Sequence, residues 1–461
     1  MTPALGLSST ILAAAGGAPL GARLPLWTVV PFALLLTTIA LASVVAPRIW
    51  ARLGAQAAVS AALGLPLAFY LVATGGAEGR AALRDAASDY LSFVVLLGAL
   101  FVISGGIHLR GSLAGTPLAN TCLLGLGAVL ANLVGTTGAA MLLVRPLLAA
   151  NRERRQKAHL LVFFIFVVAN CGGLLTPLGD PPLYLGFLQG VPFLWTLRLV
   201  GPWLFVNGAL LAVFHLLDRR FLARDRRQVP EEPLLEELLE HEPLRLEGAH
   251  NLLSLAAVVG VTLAQGVAWG TAPAPWRFGI AELLLAGIAA AAYGTTAAAT
   301  RRRNHFHFRP MVEVAVLFAG IFATLTAPLA ILNARGGELG LTHPAGYFWA
   351  SGMLSAVLDS APSYLAFAVA AAGQAGVAIG APSYLAEFLA RGPEAARIVA
   401  AISCGTVFFG AVTYLGNGPN LMVKAIAEHR GVRMPSFFGF VGWAAIVLLP
   451  ILAAASWLFF G

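Results

Sequence analysis

Residues 176–183 read TPLGDPPL, and residues 413–420 read TYLGNGPN. The octamers share T-x-L-G-[D/N]-x-P and lie 237 positions apart. Both are rich in helix breakers. Pro177, Pro181, Pro182 and Pro419 remove backbone donors, and Gly179, Gly416 and Gly418 permit tight turns. Yet both sit within segments otherwise apolar enough to be membrane helices. Unpaired backbone in hydrocarbon costs several kcal/mol per group, so such a break survives only where protein or a cavity satisfies it. A chain that writes the break twice points to a purpose for it.

Working outward, 59% of the 461 residues are hydrophobic and 11% charged, against about 25% charged in a soluble domain. Continuous apolar spans fall at 26–47, 55–74, 91–108, 198–217, 249–270, 278–299, 310–332 and 436–460, long enough to cross a bilayer as helices. Four further stretches, 116–150, 158–190, 344–372 and 396–428, are apolar but interrupted by Gly, Pro or polar residues. The fold class expected is an all-α polytopic membrane protein. Residues 218–247, the longest polar stretch, are expected to form a cytoplasmic loop. Residues 1–25 are a candidate signal peptide, with a short apolar stretch and small residues but no basic start.

The net charge of +8 comes from short basic clusters between apolar runs, the pattern of membrane topology and not of a nucleic-acid partner. Cys122, Cys171 and Cys404 lie in apolar context and imply neither a disulfide framework nor a zinc site. There is no H-E-x-x-H and no G-x-S-x-G, so an enzyme is not expected, nor is any cofactor.

If 116–150 and 344–372 enter and leave the membrane on one face, the charges sort. Then 20 of the 29 lysines and arginines share one side, including the clusters at 152–157, 219–227 and 301–303. That side is cytoplasmic by the positive-inside rule. The first hairpin then enters from the cytoplasm and the second from outside. The expectation is two inverted-topology repeats, each with a re-entrant helical hairpin and a discontinuous helix. Residues 26–217 form the first (hairpin 116–150, broken helix 158–190), and 248–461 the second (hairpin 344–372, broken helix 396–428). Secondary transporters are built this way.

The polar residues at the breaks are the candidate site. The hairpin tips offer Thr136 and Thr137 in one half and Asp359 and Ser360 in the other. The broken helices offer Asn170, Thr176 and Asp180 against Thr413, Asn417 and Asn420. Hydroxyl, amide and carboxylate oxygens suit a Na⁺ ion, and Thr136, Asp180, Asp359 and Asn417 are the set expected to hold it. Carboxylates inside a membrane segment are costly and by default functional. Asp359 is expected to be the coupling acid. Asp180→Asn is expected to be milder, because the second octamer already carries Asn417.

These motifs resemble a superfamily of ion transporters. The resemblance is carried by VGTTGAAMLLVRPLL (134–148), NCGGLLTPLGDPPLYLGF (170–187), EVAVLFAGIF (313–322), LDSAPSYLAF (358–367) and TYLGNGPNLMVKAI (413–426). The superfamily includes NhaD-type Na⁺/H⁺ antiporters, arsenite pumps, CitM-type citrate carriers and Na⁺/dicarboxylate symporters, and the branch suggested is labelled sodium:proton antiporter or citrate transporter. The resemblance implies a homodimer in which the hairpin-bearing part moves like an elevator against a scaffold. The expected function is a secondary active transporter of the bacterial inner membrane exchanging Na⁺ for H⁺. The alternative is a proton- or Na⁺-coupled carrier of citrate or another carboxylate. Expected partners are the lipid bilayer and small ions or a small carboxylate.

Overall fold

The computed structural model describes residues 19–110, 115–226, 245–270, 279–304, 306–379 and 383–461. Residues 1–18 of the candidate signal peptide and 227–244 of the expected loop lie outside them. The longer helices are α1 (Val30–Val45), α2 (Leu53–Gly105), α3 (Pro117–Ala150), α4 (Ala158–Val167), α5 (Pro181–Leu188), α6 (Val200–Arg226), α7 (Asn251–Gly270) and α8 (Ile280–Thr295). They continue as α9 (Arg309–Arg335), α10 (Pro344–Val357), α11 (Ser360–Gln374), α12 (Pro393–Phe409) and α13 (Gly418–His429). The last, α14 (Phe437–Phe460), has a π-helical turn at Ala444–Leu448. Among the described residues, five helical segments are long and apolar enough to cross a membrane. Large apolar side chains stand exposed on the outer helix faces, among them Phe69, Leu253, Leu283, Ile446 and Trp457, as a surface facing lipid requires.

Two helices fold back on themselves at a glycine. A straight helix of the 34 residues of α3 would measure about 50 Å. Instead its ends are adjacent, because Asn120 Nδ2 donates to Asn151 Oδ1 at 3.0 Å and receives the reciprocal bond at 2.8 Å. The reversal is at Gly135, where φ is 77° and ψ 155°, a conformation open to glycine. The equivalent reversal in the second half lies between α10 and α11 at Leu358–Asp359. Tyr347 and Gln374 at the far ends of that pair meet at 2.7 Å.

In α2 the bend is at Gly76, with φ 57°. Both limbs return to α9: a Cβ on Gly320 would lie 2.7 Å from the Ser60 Cβ, and Phe93 stacks on Phe318 at 4.7 Å. Past the bend the chain is helical from 77 to 90, joining the stretches expected as separate spans at 55–74 and 91–108. The charged residues there, Glu78, Arg80, Arg84, Asp85 and Asp89, lie on an Ala-rich helical stretch. Likewise the loop expected from residue 218 begins later, since α6 runs to Arg226.

The chain is not purely helical. Strand β1 (His108–Arg110) pairs antiparallel with β2 (Arg245–Glu247), tying the end of α2 to the chain entering α7.

Beneath the α3 hairpin lies a buried ionic cluster. The carboxylate of Asp218, fully buried on α6, accepts from Arg154, from His159 Nε2 at 2.8 Å and from Asn120 Nδ2 at 3.0 Å. Arg154 also donates to the Gly115 carbonyl. One carboxylate thereby fastens both feet of the hairpin to α6.

Candidate functional site

Helix is interrupted in both segments that carry an octamer. The first stops at Val167 and resumes at Pro181, with a short 3-10 turn between. The second stops at Phe409 and resumes at Gly418. The carbonyls freed in between find side-chain partners. Asn132 of α3 donates to Gly172 O at 2.8 Å and accepts from Leu175 N at 2.7 Å. Trp203 and Asn207 of α6 donate to Gly172 O at 2.8 Å and Cys171 O at 3.1 Å. In the second half, Asn420 donates to Gly410 O at 2.7 Å and Thr413 O at 2.9 Å. This is how irregular backbone is made tolerable away from water.

The two halves repeat specific contacts. Thr176 Oγ1 donates to the carbonyl of Asn132, three residues before Gly135. Thr413 Oγ1 donates to the carbonyl of Ala356, three residues before Asp359, at 2.6 Å. A Cβ on Gly179 would stand 2.1 Å from Gly173 O, and one on Gly416 would stand 2.8 Å from Gly410 O. In each half a hairpin tip and an octamer form one brace, and only glycine fits the close approach.

The halves then meet each other. Asp180 Oδ1 accepts from Thr136 Oγ1 at 2.9 Å and from Asn417 Nδ2 at 3.1 Å. Asn170 Nδ2 donates to Asn420 Oδ1 at 2.7 Å. Asp180 Oδ2, buried, has no hydrogen-bond partner.

A cavity of ≈ 140 Å³ opens at this junction. Thr136, Thr137, Asp180, Asp359 and Asn417 line it, together with apolar side chains of α2 and α9. Among the described residues no Lys, Arg or His lines it. The four residues expected to hold a cation are thus brought together. The other five candidates are placed elsewhere for a physical reason. The Thr176 and Thr413 hydroxyls are committed to hairpin carbonyls, and Asn170 and Asn420 bond to each other behind the site. Ser360 is buried and its Oγ has no partner, but it does not line the cavity. Asp359 is the N-cap of α11, and its Oδ1 accepts from Ala361 N at 3.1 Å.

Asn132, Trp203 and Asn207 were missed as supporting residues. The signal for the asparagines was present: each is an amide inside an apolar run, ANLVG and FVNGA, where a polar group needs a partner.

A mostly helical chain with an apolar exterior, five segments among the described residues able to span a membrane, and two helix breaks closing on a largely apolar cavity that holds a few polar residues is a multi-pass membrane protein. The chain belongs to the family described as "Putative citrate transport", whose model matches residues 21–460. Among curated proteins none matches the chain.

Proposed function

We propose that the protein is a secondary active transporter that carries citrate or a related carboxylate together with a coupling cation, Na⁺ or H⁺. The family match favours this reading over Na⁺/H⁺ exchange alone. The observation that carries it is the convergence of opposite chemistries on one small cavity. The N-termini of α5, α11 and α13 begin at its lining residues Asp180, Asp359 and Asn417, and helix N-termini favour anions. Two carboxylates line the same space. With no basic side chain in the lining, a bare polyanion would face Asp180 and Asp359 unshielded. A cation bound with it at Thr136, Asp180, Asp359 and Asn417 offsets that repulsion, and this is the physical basis for coupling. The unpartnered Asp180 Oδ2 is a free oxygen ligand for that cation.

The test is uptake of radiolabelled citrate into proteoliposomes under imposed Na⁺ or H⁺ gradients, with a pH dye in parallel. Gradient-driven accumulation of citrate is expected. Proton movement driven by Na⁺ in vesicles that take up no citrate would instead establish the exchange reading.

In this proposal the hairpins are re-entrant and the halves inverted, and the hairpin-bearing unit moves in elevator fashion against α2 and α9. Single cysteines placed at 149–157 and at 371–379, in a background lacking Cys122, Cys171 and Cys404, should react from opposite sides of the membrane. Reaction of both from the same side rules out the inversion.

A further inference from the structure

The transport cavity has two unlike sides. Thr136, Thr137, Asp180, Asp359 and Asn417 lie on one, at the hairpin tips and octamers. The other is formed by α2 and α9, and every residue these two helices contribute to the lining is apolar. Leu97, Leu100 and Phe101 on α2, like Met311, Val314 and Phe318 on α9, are three or four positions apart, so each row is one helix face. Leu100, Phe101 and Phe318 are buried, which turns these faces to protein and not to lipid. Both rings are propped from behind. Phe318 stacks on Phe93 at 4.7 Å, and Phe101 meets Phe306 at 5.1 Å.

We propose that the preferred substrate is a short-chain monocarboxylate, held with its carboxylate on the polar side of the cavity and its hydrocarbon body against α2 and α9. Within the carboxylate-carrier reading, on which this rests, the polar side supplies what one carboxylate needs: helix N-termini and a cation held at Asp180. The apolar side rewards hydrocarbon in proportion to the area it covers. A second or third carboxylate placed there would lose its water and gain no hydrogen bond. Size points the same way. An apolar cavity of about 150 Å³ holds one benzene molecule, so ≈ 140 Å³ limits the ligand to about six carbons. Citrate is a tricarboxylate with roughly twice as many non-hydrogen atoms as benzene, and it is the weaker substrate here.

The experiment is calorimetric titration of full-length protein in a neutral detergent, in mildly acid Na⁺ buffer so that either coupling cation is supplied. Propionate, butanoate, pentanoate, hexanoate, octanoate and citrate are separate arms, with protein-free micelles as the blank. Affinity should rise about fourfold per added CH₂, or roughly 60-fold from propionate to hexanoate, and gain nothing further at octanoate. Citrate should bind at least about tenfold more weakly than hexanoate. Val314→Ala opens the apolar side and should move the best chain longer, and Val314→Phe fills it and should move the best chain shorter. Either variant alone suffices if the other does not fold. A flat series, or citrate bound as tightly as hexanoate, overturns the monocarboxylate assignment and leaves the carboxylate carrier standing, with α2 and α9 only a surface to slide on. A rising series that neither variant shifts is binding elsewhere and overturns it as well. Binding of neither citrate nor any monocarboxylate brings down the carboxylate reading itself, and this assignment with it.

Discussion

Replacing Asp180 with asparagine is expected to lower cation-driven citrate uptake at least 100-fold while leaving a protein that inserts and melts within a few degrees of the wild type. Asp180 Oδ1 holds Thr136 and Asn417, and a single amide oxygen at the same place can accept both bonds. What the substitution removes is the negative charge and the unpartnered second oxygen. An amide is also cheaper to bury than a carboxylate, so the fold has little to lose. The exchange variant Asp180→Asn/Asn417→Asp, which returns one acid to the junction from the other half, should recover part of the activity. Wild-type uptake by Asp180→Asn would remove this residue from the coupling mechanism.

The geometry moves the larger effect from Asp359, where the sequence placed it, to Asp180. Asp359 is only partly buried, and one of its oxygens caps α11. Asparagine caps a helix about as well as aspartate. Asp180 is 2% exposed and binds both a hairpin tip and the opposite octamer. Its match to Asn417 had suggested tolerance, because sequence alignment shows that two positions correspond and not that they touch.

The second large effect is on stability. Asp218→Ala strips the acceptor from Arg154, His159 and Asn120 in a buried place. Breaking a buried ion pair from one side typically costs about 3–5 kcal/mol, since the surviving charge is left uncompensated. The thermal midpoint of the detergent-solubilised protein should fall by roughly 5 °C or more. Asp218→Leu/Arg154→Met removes both charges and should be less damaging than Asp218→Ala. An unchanged midpoint in Asp218→Ala would mean that the cluster contributes nothing to the hairpin's attachment.

Much of this architecture was legible because it is written in Gly and Pro. Gly135, the octamers and the LDSAPS tip mark helix breaks at the residues where the chain does break, since these residue types act on their own backbone. What acts between distant residues was not legible. Nothing local announces that Asn132 will pair with Gly172 and Leu175, or that Asp218 will gather Arg154 and His159. The helix through 77–90 was not legible either, because its charges interrupt the apolar pattern between spans 55–74 and 91–108, although Ala, Leu, Glu and Arg in that stretch all favour helix. The β1–β2 pair has only three residues per strand, too short for any periodicity to reveal.

Asp180 and Asn417 stand at matching places in the two octamers, and they are in contact. At that position each copy of the motif is the other's environment. Two aspartates would press like charges together where water cannot screen them. Two asparagines would leave no charge there. An acid facing an amide keeps one charge and gives it a donor. The duplicated Thr, Leu, Gly and Pro serve their own half and can stay the same, but the letter at which the halves face each other has to differ. The acid-for-amide difference at this position of the shared motif is thus a consequence of their meeting, and swapping the pair should be tolerated better than making it uniform.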